Sequence, residues 1–161
     1  MIACDTNVLV RLASSADLKH EVALAVKESY SASDETICVF PQVIYEFFVV
    51  ATKSLKANGL ELPASEAEEF IASDLRDFAL VPDTEKTFEA WRDLTARYAV
   101  SGNPNHDLRI VAAMLAAGGD RLLTFNAKHF RRFAEIEVVD PHDVAGSSDG
   151  SSSHKPPSTG G

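Results

Sequence analysis

Short apolar runs alternate along this chain with stretches of helical spacing, and that alternation limits what it can fold into. Ile2-Ala3-Cys4, Thr36-Ile37-Cys38-Val39-Phe40, Phe78-Ala79-Leu80-Val81 and Arg121-Leu122-Leu123-Thr124 read as strands, and Glu137-Val138-Val139 as a fifth candidate. Runs this short, apolar at successive positions, suit strands buried on both faces. Between them lie helical patterns. Leu18, Val22, Ala25, Val26 and Ser29 share a face over residues 17–30. Pro41 suits a first helical turn, and the helix it opens carries Val43, Ile44, Phe47, Phe48 and Ala51 up to a stop at Asn58-Gly59. Ser65 with Glu68 has the form of a capping box for a helix to about Arg76. Phe88, Trp91, Leu94 and Thr95 mark a helix over 84–98, and 101–105 reads as a loop. His106-Asp107 then opens a helix with Leu108, Val111, Ala112 and Leu115 on its apolar face, closed by Gly118-Gly119. Strands interleaved with helices predict an α/β fold of three layers, α/β/α, around a central, mainly parallel sheet of four to five strands.

Residues 1–144 are expected to form one domain, and 145–161, ending GSSDGSSSHKPPSTGG, a disordered tail with too little apolar surface to offset its ordering entropy. Cys4 and Cys38 sit in apolar runs without zinc-ligand spacing around them, which predicts buried, reduced thiols. The start of the chain has no leader-like pattern, and no run of about 18 apolar residues could span a bilayer. A cytoplasmic protein without membrane contact is expected.

In parallel sheets, sites form outside the carboxyl ends of the strands. Asp5 follows the first strand directly, and Thr124 to Asn126 follow the fourth. Asp107 stands at the mouth of the helix before the fourth strand. Glu46 interrupts the apolar run from Val43 to Val50, one turn into the helix after the second strand. A carboxylate embedded there needs a partner or a metal, because a bare buried charge is costly. Each residue also has a plain alternative. Asp5-Thr6-Asn7 could be a turn capping the next helix, Asp107 an N-cap, Glu46 a solvated side chain, and Asn126 a turn residue. Together, three converging carboxylates and an amide would repel one another unless a cation neutralised them. Their hard oxygen donors suit Mg2+ or Mn2+ rather than zinc. A metal so held can lower the pKa of bound water and stabilise charge on a phosphoryl oxygen, the chemistry of phosphodiester hydrolysis.

Four segments, in order, resemble the PIN-domain family: the opening Ile2 to Leu9 with its Asp5-Thr6-Asn7, Gln42 to Phe47 with Glu46, His106 to Met114 with Asp107, and Arg121 to Phe130 with Thr124 and Asn126. Among small stand-alone members, the chain is most similar to VapC-type toxins. The resemblance implies a metal-dependent endoribonuclease, the toxin of a type II toxin–antitoxin pair, often a homodimer and restrained by a cognate antitoxin protein. It implies Asp5, Glu46 and Asp107 as ligands of Mg2+ or Mn2+, with Asn126 completing the catalytic set where many members carry a fourth Asp. An amide brings no charge, so this departure bears on a second metal. Thr6 and Thr124 would position ligands or the scissile phosphate. His106, beside Asp107, is a candidate proton carrier or a loop residue.

The formal net charge of −9 opposes tight, non-specific gripping of nucleic acid. A local basic segment offsets it: Arg121, Lys128, Arg131 and Arg132, with no Asp or Glu between 121 and 134. Lys128, Arg131 and Arg132 are candidates to hold RNA phosphates, or else form a solvated or antitoxin-facing surface. The apolar faces around Phe47, Phe48, Phe70 and Trp91 are either core or a partner groove. Two other functions compete. A phosphohydrolase using Asp5 as nucleophile would want a second Asp at position 7, where Asn stands, and a catalytically weakened PIN-fold binding or regulatory module draws on Asn126 alone. A nucleotide-cofactor enzyme lacks its glycine-rich loop after the first strand.

Overall fold

The computed structural model describes residues 1–148. In chain order the elements are β1 (Ile2–Cys4), α1 (Thr6–Leu12), α2 (His20–Ser31), β2 (Ile37–Val39), α3 (Pro41–Thr52), a 3-10 turn (Leu55–Ala57), α4 (Ala64–Asp74) and β3 (Ala79–Leu80). There follow α5 (Glu85–Tyr98), α6 (Pro104–Ala116), β4 (Arg121–Leu123), α7 (Ala127–Phe130), β5 (Glu137–Val139) and α8 (Pro141–Ser148). The five strands pair in the order β3-β2-β1-β4-β5, every pair parallel. Helices flank the sheet on both sides, the expected three-layer α/β/α arrangement. The inner strands are fully buried, as their unbroken apolar runs require.

From β1 the chain moves outward through β2 to β3, then crosses back to set β4 against the free side of β1. That reversal makes the carboxyl ends of β1 and β4 the switch point of the sheet, where a crevice opens. Asp5 and Thr124 are the residues that leave those two ends, and Asp5 extends the ladder by donating its N–H to the Leu123 carbonyl at 3.0 Å.

Several local expectations shift. The first helical face is Ala23, Val26 and Tyr30, while Leu18 precedes the helix and is 100% exposed. α3 ends at Thr52, before Asn58, because the returning segment satisfies its last carbonyls: Leu60 and Leu62 donate to Val50 and Ala51 at 3.0 and 2.9 Å. Asn58 closes the 3-10 turn in the left-handed conformation, φ 59°. Ser65 and Glu68 form no capping box, since the helix already begins at Ala64 behind Pro63. A capping box exists instead at Thr84 and Thr87, leading into α5. α6 begins at Pro104, whose missing N–H is harmless in a first turn, so His106 and Asp107 lie inside that turn rather than before it. α6 closes where Gly118 takes φ +78°.

Cys4 and Cys38 are buried free thiols. α8 spans Pro141–Ser148, across the position expected for the domain boundary. The rest of the expected tail, 149–161, lies outside the described residues. Among the described residues no helix is long and apolar enough to cross a membrane.

Candidate active site

Asp5 occupies the N-cap position of α1 yet makes no side-chain cap to it. Its carboxylate turns into the switch-point crevice, 7% exposed. There Thr124 Oγ1 donates to Asp5 Oδ2 at 2.6 Å, and Asn7 Nδ2 donates to the same oxygen. Thr124 is 0% exposed, and its hydroxyl also accepts from Asn7 Nδ2 at 2.9 Å and from the Asn126 N–H at 3.0 Å. Asn7 completes the knot by accepting the Phe125 N–H at 3.1 Å. The turn after β1 is thus stitched to the turn after β4, and the orientation of Asp5 follows from both.

Glu46 faces the same cleft and is not a free solvated side chain. Its Oε2 accepts from Thr6 Oγ1 at 3.0 Å and its Oε1 from Gln42 Nε2 at 2.6 Å, with His106 Nδ1 at 3.2 Å. Asp107 lies across the cleft, with His129 Nδ1 at 3.5 Å from its Oδ2. His129 Nδ1 also stands 3.0 Å from Asn126 Nδ2. The cleft, about 920 Å³, is bounded by Thr6, Glu46, His106, Asp107, His129 and Arg132, and by an apolar wall along α3.

Burial pushes the Asp5 carboxyl up to about 6, with the negative charges of Asp107 and Glu46 adding to the effect; the Thr124 hydroxyl and the Thr6 N–H pull it back only partly. Asp107 is also raised, chiefly by burial, and the charges of His129 and Arg132 counter that rise. Three acids drawn together, with the proton affinity of Asp5 and Asp107 raised by burial and by neighbouring negative charge, form a cavity for positive charge. Their donors are the hard oxygens that a Mg2+ or Mn2+ ion takes. Among the described residues no three His, Cys, Asp or Glu side chains already close on a common point.

The basic segment divides. Arg132 borders the cleft, while Lys128 and Arg131 are exposed on and just after α7. Arg121 does not flank the site. It begins β4 at the opposite edge of the sheet, where both Glu35 oxygens accept from its Nη1 at 2.6 Å.

Three contributors carried no site assignment in the sequence: Asn7, which binds Asp5 and Thr124, His129 and Gln42. His129 had no role in the sequence, and α7 sets it beside Asp107. Gln42 precedes Glu46 by one helical turn and is buried, a spacing that could have flagged it as a partner. Its Nε2 also donates to the His106 carbonyl at 3.0 Å, and its Oε1 accepts from Arg109 Nη1 at 2.6 Å, tying α3 to the first turns of α6. Arg109 in turn pairs with Asp83. Phe47 is core and stacks at 4.8 Å on Phe70, whereas Trp91 lies half-buried against an exposed Phe88.

The chain belongs to the PIN domain family, whose model matches residues 2–136. Its fold is similar to VapBC2 from Rickettsia felis, solved with a DNA fragment from the promoter, at 20% identity over 87% of this chain and 98% of that one, TM-score 0.64. It is similar to FitAcB from Neisseria gonorrhoeae, at 20% identity over 88% and 99% of the two chains, TM-score 0.65. It is also similar to VapC20 from Mycobacterium tuberculosis, described as a toxin that cleaves the sarcin-ricin loop, at 16% identity over 85% and 99%, TM-score 0.59. No curated protein matches the chain in sequence.

Proposed function

We propose that this protein is an endoribonuclease that hydrolyses RNA phosphodiester bonds with a bound Mg2+ or Mn2+ ion, and that it is the toxin of a toxin–antitoxin pair. One observation carries the reading: three carboxylates at the sheet's switch point, close enough for two of them to raise the proton affinity of the third. Membership of the PIN domain family supports a nuclease. The likeness to VapBC2, to a toxin-antitoxin complex from Klebsiella pneumoniae and to VapC20, described as a toxin that cleaves the sarcin-ricin loop, supports the toxin role and an antitoxin partner.

Asp5, Glu46 and Asp107 would hold the cation. When bound, it would neutralise their charge, polarise water and stabilise the charge that develops on a phosphoryl oxygen. The chain's own residues do the rest. Thr124 and Asn7 fix the direction of the Asp5 carboxylate, and Thr6 and Gln42 fix that of Glu46. His129 and Arg132 present positive or proton-bearing groups on the Asp107 side of the cleft, suited to a phosphate oxygen or a departing hydroxyl. Lys128 and Arg131 extend that surface. Asn126, its amide turned to His129, adds an orienting dipole without charge.

The test is incubation of purified, antitoxin-free protein with mixed tRNA, rRNA and mRNA, in Mg2+, Mn2+ or EDTA, beside Asp5→Ala. Discrete metal-dependent fragments that vanish in Asp5→Ala are the expected result. Folded protein that cuts nothing with either metal would refute the nuclease and favour a regulatory PIN-fold module.

A further inference from the structure

The catalytic cleft has a second wall that none of this chemistry uses. Tyr45 directly precedes Glu46 and is 68% exposed; Val49, one turn on, is 58% exposed. With Lys53, the extended residue that caps the end of α3, they line the same cleft beside the carboxylates. Opposite stand His129 and Arg132. The neighbouring aromatic side chains of α3 are buried or half-buried against the core, so Tyr45 is the ring this helix turns outward.

We infer that Tyr45, backed by Val49, is a nucleobase platform: a base of the bound RNA stacks on this ring next to the scissile phosphate. The inference rests on the nuclease reading above and adds a substrate-positioning residue to it. An exposed aromatic ring flanked by cations is the surface a single strand uses: the base covers the ring face while Lys53 and Arg132 meet the flanking phosphates. Base pairing withholds a base's face from such a ring, because in A-form RNA it is already stacked inside the helix. The platform also reconciles RNA binding with an acidic protein, since stacking contributes affinity without adding positive charge.

The experiment measures binding apart from cutting. The full chain carrying Asp5→Asn is titrated, by fluorescence anisotropy, against a labelled 12-nucleotide RNA of randomised sequence and against a blunt perfect duplex of similar length. Each is repeated with Tyr45→Ala, Tyr45→Phe and Val49→Ser added. Far-UV circular dichroism and sedimentation follow every variant. Expected are preference for the unpaired RNA, a loss of about tenfold with Tyr45→Ala, near-full retention with Tyr45→Phe, and a smaller loss with Val49→Ser. Folded Tyr45→Ala with unchanged affinity would overturn the platform, as would equal losses for strand and duplex. Dissociation of an oligomer by Tyr45→Ala without loss of RNA affinity would overturn it too, and would assign the wall to contacts between copies. The two readings fail separately. Ring-dependent binding in a protein that cuts no RNA would keep the platform and remove the nuclease; cleavage with the same KM in Tyr45→Ala would keep the nuclease and remove the platform.

Discussion

Asp5→Asn should stabilise the fold while abolishing cleavage. In the metal-free protein the Asp5 carboxyl sits at about 6 rather than its ordinary 3.8, because burial and two neighbouring carboxylates disfavour its charge. At about 1.4 kcal/mol per tenfold change in proton affinity, that difference costs the folded state about 3 kcal/mol once the group is ionised. The sign follows from linkage: the folded state binds this proton more tightly than the unfolded one, so stability falls as pH rises from about 4 to about 6 and is flat above. Asparagine has nearly the same shape and can still accept from Thr124 and Asn7, but carries no charge to desolvate. In EDTA at pH 8 the variant should therefore gain up to about 3 kcal/mol, roughly 6–12 °C in Tm for a domain of this size. At pH 4 the gain should vanish, since wild type is then largely protonated. Urea unfolding at the two pH values, both in EDTA, measures it. A variant less stable than wild type at pH 8, or a gain that is the same at pH 4, would refute the account of Asp5 as a charge strained by burial and like-charged neighbours. Adding Mn2+ should reverse the order, raising the Tm of wild type and leaving the variant nearly unchanged.

Thr124→Val keeps the shape but removes a fully buried hydroxyl that serves three partners. Two half-buried donors, Asn7 Nδ2 and the Asn126 N–H, lose this acceptor, so urea unfolding should show a loss of about 1–3 kcal/mol; with the hydrogen bond to the ionised form gone, the acid limb of the pH–rate profile should also move upward. Gln42→Leu removes the Nε2 donor that holds Glu46 Oε1, and Mn2+ affinity, read by calorimetry, should weaken about tenfold to a hundredfold; unchanged affinity would reduce Gln42 to a packing residue. Arg132→Gln should weaken RNA binding and reduce the slope of log affinity against log salt by about one, whereas Arg121→Gln, locked to Glu35 on the far edge, should leave that slope alone and change only stability, by at most about 1 kcal/mol.

The centre of the sheet was legible because β1 and β2 announce themselves locally, their successive apolar residues being satisfied only by burial on both faces, whereas β3 and β5 at the sheet's edges stay partly exposed. The acids were legible for the converse reason. Asp5 and Glu46 abut or interrupt apolar runs, and a charge in such a place calls for a partner. Boundaries were less legible. Leu18 fitted the helical period yet stands outside the helix, and Ser65 with Glu68 matched a capping pattern that Pro63 pre-empted by taking the N-cap position two residues earlier.

By itself the sequence determined which residue types were available, which segments had to be buried, and that four carboxylate- or amide-bearing segments follow one another in a recognisable order. Only the tertiary structure decided their partners. Asp5 and Thr124 are 119 residues apart and Thr6 and Glu46 are 40 apart, and neither hydrogen bond has any local signature. Arg121 belonged to the basic segment by sequence and left the site because β4 carries it to the opposite edge. His129 and Gln42 entered the site through the packing of α7 and α3 against α6. Periodicity is a property of neighbours along the chain, whereas proton affinity and side-chain direction depend on neighbours in space; those were fixed only when the crossover from β3 set β4 beside β1.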